Sequence, residues 1–167
     1  DAQAILATDS QELVSKVTVE IQKQLLDLAT KDTASKSIEN NGLIILTKDL
    51  DEAIDIANKK APEHLEIALD SGKTRDTIIS KARNFGSLFI GHKSAEVLGD
   101  YAAGLNHTLP TSGSARFTGG LSVRMFLKTV TTLRVENNSK SVKAAAILGD
   151  TEGLAAHARA ARFRITD

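Results

Sequence analysis

Glu63 and His64 stand side by side, directly after Pro62 and directly before the alternating apolar residues Leu65, Ile67 and Leu69. An imidazole titrates near neutral pH and burial raises a carboxyl toward the same range, so the pair can supply two groups that move protons. Pro62 fixes its own φ and biases Ala61 away from helix, which sets the pair at a rigid junction. Spacing alone leaves a second reading open, a surface dipeptide with no task, and it is the plainer one because adjacent Glu-His pairs are common. Asp100 and His107 lie seven apart, and Glu152 and His157 lie five apart in what reads as the final helix. Carboxylate and imidazole together suit zinc or another first-row divalent metal. Neither spacing makes a local metal motif: there is no His-Glu-x-x-His, and i, i+5 does not bring two groups to one helical face. Solvated surface residues are the plainer reading of all four, and His92 reads as a surface histidine. The segment 113–120, GSARFTGG, precedes an expected helix and could cradle an anion on backbone N–H groups, with Arg116 adding charge. No G-x-x-x-x-G-K-[ST] loop is present and no G-x-G-x-x-G follows the first strand, so the sequence carries no phosphate or dinucleotide fingerprint.

The elements that must position these groups follow a repeating pattern. Ala4 to Ala7 is a short apolar run. After it come an Asp9-x-x-Glu12 capping pattern and Leu13, Val17, Ile21, Leu25 and Leu28 at helical spacing. Leu43 to Leu46 repeats the run, with a cap at Asp49 and Glu52 ahead of Leu50, Ala53, Ile54 and Ala57. Leu65 to Leu69 is a third strand, 74–83 a helix and Ser87 to Ile90 a fourth strand. Near-continuous apolar strands between amphipathic helices predict an α/β fold with a parallel sheet covered on both faces. The glycine-rich stretch 92–120 is long for an unstructured connection, and Tyr101, Leu105, Leu109 and Phe117 argue that it is ordered and functional. Beyond it the sequence predicts a helix over 121–128, an extended piece at 132–135, and helices over 139–148 and 151–163. A boundary near residue 120 divides a sheet domain, 1–120, from a small, mainly helical piece, 121–167.

The 167 residues are 41% hydrophobic and 25% charged, enough for one core or one core with an appendage. The 21 basic and 21 acidic residues balance, without a basic stripe, so nucleic acid and anionic membrane are poor partners. There are no cysteines, which excludes disulfides and Cys-based zinc sites. No apolar run reaches membrane-spanning length and no signal-peptide pattern opens the chain, so a cytoplasmic location is expected. The chain opens without Met and enters an apolar run within two residues, from which an upstream segment is expected.

Several blocks carry a resemblance. A-P-E-H-L at 61–65, G-S-L-F-I-G at 86–91 and G-D-Y-A-A-G-L-N-H-T-L-P-T at 99–111 resemble histidinol dehydrogenases. D-A-Q-A-I-L at 1–6, S-A-R-F-T-G-G-L-S at 114–122 and E-G-L-A-A-H at 152–157 fall in the same order as in that family, so the resemblance runs along essentially the whole chain.

The resemblance implies zinc-dependent, NAD-linked oxidation of L-histidinol to L-histidine through L-histidinal, the last two steps of histidine synthesis. His64 would take the alcohol proton, and Glu63 would activate water for attack on the aldehyde. Asp100 and His157 would be zinc ligands. His64, Asp100, His107, Glu152 and His157 would contact substrate. The family's C-terminal segment reaches across a homodimer, so Glu152 and His157 would complete the partner's site, which would account for their i, i+5 spacing. The architecture implied is an incomplete Rossmann-like parallel sheet domain followed by the helical piece. The family's other two zinc ligands, a Gln and a His, precede the position of Asp1, and its NAD-binding regions lie further upstream. No cofactor-binding residue for NAD is therefore expected within these residues, and the 167-residue chain alone is expected neither to turn over histidinol nor to bind NAD usefully. Two rivals remain at this point: a non-catalytic binding module derived from the fold, and a metal-dependent hydrolase with Glu63 as base, against which the lack of a complete local ligand motif counts.

Overall fold

A computed structural model describes residues 2–135 and 139–164; Asp1 of the opening block lies outside the described residues. Two compact units divide the chain, Asp1–Phe126 and Leu127–Asp167.

The first unit is built from β-α-β crossovers. β1 (Ile5–Thr8) leads through α1 (Gln11–Asp27) and α2 (Lys31–Asn41) to β2 (Leu43–Leu46), which pairs with β1 in parallel, Ile5 opposite Leu43. α3 (Leu50–Lys60) leads to β3 (His64–Ile67). α4 (Lys73–Lys81) then crosses to β4 (Ser87–Ile90), parallel to β3 with His64 opposite Ser87 and Glu66 opposite Phe89. The α/β class expected from the sequence is thus observed, with short parallel strands in two separate pairs rather than one continuous ladder.

Local chemistry explains the boundaries. Asp49 caps α3 by accepting the Glu52 N–H at 2.8 Å, and the Glu52 carboxylate accepts the Lys48 N–H at 2.8 Å, the expected reciprocal box shifted by one donor. At α1 the cap is Ser10, whose hydroxyl accepts the Leu13 N–H at 3.1 Å, and not Asp9 as the Asp-x-x-Glu pattern predicts. Thr8 Oγ1 accepts the Ser10 N–H across a bend at Asp9, so the first helical turn begins one residue later.

The core lies on one face of β3. Leu65 and Ile67 pack with Ile54 of α3 and Ile78 of α4, all buried. Ile67→Ala is expected to cost about 2–5 kcal/mol, read as a lower denaturant midpoint at unchanged slope. Cover on both faces does not extend to β2, where Leu43 and Leu46 keep 47% and 51% exposure.

The stretch 92–120 is ordered, as expected. It opens with α5 (Glu96–Tyr101) and continues as a loop closed by Asn106, whose side chain donates to the Leu121 carbonyl and accepts the Thr108 N–H. The helix expected over 121–128 is only a 3-10 turn, Val123–Phe126, and no strand forms at 132–135. Val130 and Leu133 are largely exposed there and bring no partner ladder for the backbone.

The second unit contains α6 (Ser139–Thr151) and α7 (Ala155–Arg162). Fully buried Ala158 lies against the backbone of Gly149, and Arg162 pairs with Asp150. The last helix begins at Ala155 rather than at 151, because Gly153 takes a left-handed φ of 74° and breaks the run. Glu152 therefore sits in the turn and only His157 is on the last helix.

Candidate functional site

Alternation along β3 decides which way His64 faces. Side chains two apart share a face, and parallel register places Phe89 opposite Glu66, so His64, Glu66 and Phe89 lie on the face away from the Ile54–Ile78 core. Phe89 is buried at 5% exposure and its ring centroid is 5.9 Å from that of His64.

α5 covers this face. Gly99 is buried, and a Cβ there would fall 2.9 Å from two Phe89 ring carbons, so only glycine lets the helix come this close. That contact delivers Asp100 to His64. Glu96 precedes Asp100 by one helical turn and lies on the same side of α5. His64 Nε2 is 3.6 Å from Glu96 Oε1 and 4.0 Å from Asp100 Oδ1, and His107 Nδ1 is 3.5 Å from the same Asp100 oxygen. Gly99→Val is expected to push α5 off Phe89 and part Asp100 from His64, measured as faster amide exchange along α5, while Gly99→Ala has a smaller effect.

The exit from α3 aims the pair. Ala61 ends the helix in the left-handed region, φ 53°, ψ 64°, and is 1% exposed. β4 then holds the following backbone: Gly86 N–H donates to the Pro62 carbonyl at 3.0 Å and Ser87 N–H to the Glu63 carbonyl at 2.9 Å. The rigid junction predicted at Pro62 is therefore a turn fixed from both sides.

Four groups are now in one place: His64, Glu96, Asp100 and His107. Donor atoms of His64, Glu96 and Asp100 all lie within 4.8 Å of one another. The Asp100 side chain is only 17% exposed, and His64 Nε2 is buried with no hydrogen-bond partner among the described residues. A buried, unpartnered imidazole nitrogen beside two carboxylates is a costly arrangement unless a ligand or cation satisfies it. Carboxylate oxygen and imidazole nitrogen suit zinc by type, so Asp100, beside His64 and Glu96, is fit to contribute to the shell of such an ion.

Of the residues singled out in the sequence, His64, Asp100 and His107 are brought together. Glu63, half-buried, is outside the donor cluster, and Glu152 and His157 are exposed residues of the second unit. Glu96 was missed although the signal was present: it precedes Asp100 by four, a helical spacing that reading 92–120 as loop concealed. Arg116 does not serve an anion cradle. Its guanidinium donates to the carbonyls of Lys59 and Gly113, and the element that follows Gly113 is a three-residue 3-10 turn with no N-terminus to offer. His92 pairs with Asp70, at 3.5 Å on the open surface. A cleft of about 730 Å³ between β1, α3 and β3 reaches His64 and Glu96.

The model of the histidinol dehydrogenase family matches residues 1–165. A histidinol dehydrogenase of Streptococcus mutans is 44% identical over 168 residues, covering 98% of this chain and 38% of its own length. The histidinol dehydrogenases of Acinetobacter baylyi and Thermus thermophilus are 43% and 41% identical, each aligned to 98% of this chain. In solved structures, the histidinol dehydrogenase of Elizabethkingia anophelis superposes with a TM-score of 0.87 at 32% identity, over 97% of this chain and 37% of that one. The chain thus spans about 38% of the length of these curated relatives. Agreement of a family model along nearly every residue with relatives above 40% identity leaves no other assignment: the chain belongs to the histidinol dehydrogenase family.

Proposed function

We propose that these residues form part of the site of a zinc-dependent, NAD-linked dehydrogenase that oxidises L-histidinol to L-histidine by way of L-histidinal. The observation that carries this reading is the convergence of buried His64 Nε2 with Asp100 and Glu96, next to His107. Asp100 would hold zinc together with the His157 supplied by a second copy of the chain, and zinc when bound would orient the substrate's imidazole and amine. His64 accepts the hydroxyl proton as hydride leaves the carbinol carbon for NAD, giving the aldehyde. Glu63 then removes a proton from water adding to that aldehyde, and loss of a second hydride from the hydrated carbon yields the carboxylate. The sum is one alcohol, one water and two NAD giving one carboxylate, two NADH and three protons. Positioning is the chief contribution of such a site, and proton transfer adds to it.

Glu96 faces His64 Nε2 at 3.6 Å, and we assign it the orientation of the imidazole. Glu96→Gln is expected to lower kcat roughly 10- to 100-fold, with zinc content retained; an unaltered kcat would contradict this role. His107 and Glu152 are assigned to substrate contact, and His157 and Glu152 to a site shared between subunits of a homodimer. The division of labour would be a Rossmann-like part over 1–120 and a site-completing helical segment over 121–167. No helix among the described residues is long and apolar enough to cross a membrane, and a cytoplasmic setting suits the proposed substrates. On this reading the 167 residues alone would not turn over histidinol, since the resemblance puts the family's NAD-binding region and its other two zinc ligands outside them. Steady NADH formation by the isolated 167 residues would overturn that statement. The reading as a whole is tested by supplying L-histidinol and NAD to the full-length protein and identifying L-histidine as product.

A further inference from the structure

We propose that Arg116 is a positioning residue for the Glu63–His64 pair, acting through the C-terminal end of α3; this rests on the function proposed above. The carbonyls that a helix leaves unpaired at its C-terminus must find donors elsewhere. In α3 they do so one by one. The Ala57 carbonyl accepts the Ala61 N–H, the Asn58 carbonyl accepts the Asn84 side chain at 3.0 Å, and the Lys59 carbonyl accepts the Arg116 guanidinium. The same guanidinium donates to the Gly113 carbonyl at 2.9 Å, so its planar fork bridges the helix end and the loop that follows Pro110. A cation here also meets the negative end of the helix.

Gly113 is built to admit this bridge. Its φ is 78°, and a Cβ would stand 2.2 Å from Arg116 Nη1, so any side chain at 113 must displace the end of the guanidinium. The residue directly beyond the clamped end is Ala61, held left-handed without being glycine, and Pro62, Glu63 and His64 follow at once. A non-glycine residue stays in that region only where its surroundings hold it. The Arg116 bridge, with Gly86 and Ser87 on the other side, supplies that hold.

The test uses Arg116→Met and Gly113→Ala separately in the full-length protein, because the second removes the bridge without touching the charge. Both are expected to lower kcat for L-histidinol roughly 10- to 100-fold with KM within about twofold and zinc content unchanged. Both should also speed amide exchange at Ala61, Gly86 and Ser87, the three N–H groups that report on this turn. Arg116→Lys should recover part of kcat, since it keeps the charge but not the fork. Unchanged exchange at those amides overturns the proposal, as does loss of protection throughout the protein in step with activity, which marks a general fold defect. If the unaltered protein makes no NADH from L-histidinol, the proposed function fails, and exchange at the three amides still decides for or against the bridge.

Discussion

His64→Asn in the full-length protein is expected to reduce kcat for L-histidinol by about 10² to 10⁴ while zinc content changes little. Asparagine fits the space and keeps a polar end toward Glu96 and Asp100, but it cannot take a proton from an alcohol near neutral pH. The magnitude is that of a lost proton acceptor whose neighbours stay in place. Those neighbours are fixed independently of the imidazole: Asp100 is delivered by the Gly99–Phe89 contact, and Glu96 by its place one turn earlier on α5. A second consequence follows from the two half-reactions. Glu63→Gln should slow oxidation of L-histidinal more than oxidation of L-histidinol, so that aldehyde accumulates, and equal slowing of both steps would argue against separate roles.

Asp100→Asn is expected to lower zinc content more than tenfold, measured by metal analysis after dialysis against a weak chelator. The Asp100 carboxylate is the hub of the cluster, with one oxygen facing both His64 and His107 and only 17% of the side chain exposed. Replacing it by an amide removes the negative charge and puts an N–H₂ where two imidazoles, and the proposed cation, would need an acceptor. His157→Asn should act in the same direction if that residue is the second ligand. Zinc retained in both variants would refute the ligand assignment.

Much of the frame was readable in the sequence because it rests on period and caps. The runs at 43–46 and 87–90 are strands with those limits, and Asp49 with Glu52 marks the start of α3 to the residue. α2 escaped because KDTASKSIENN is polar almost throughout, with none of its residues buried, so no apolar stripe announces it. The 3-10 turn at 123–126 was mistaken for a helix because Leu121, Val123, Phe126 and Leu127 imitate a helical stripe while three of them stay 70% or more exposed. At the site, the sequence offered residue types but not their meeting. Which face His64 takes depends on the register of β3 against β4, and its contact with Asp100 depends on a close approach that glycine alone permits at 99. The cluster also gathers at the first residue of β3, whereas dinucleotide folds place their ligand beyond the carboxyl ends of strands, so fold analogy alone would have pointed to the wrong end.

In the proposed function, His64, Glu96 and Asp100 belong to a site that carries an alcohol to a carboxylate in two oxidations. The most direct measurement is the NADH formed per L-histidinol consumed by the full-length protein with NAD in excess. Two equivalents of NADH and one of L-histidine are expected, both formed about 10²- to 10⁴-fold more slowly in the His64→Asn variant. No NADH, or formation as fast in His64→Asn as in the unaltered protein, would contradict this reading.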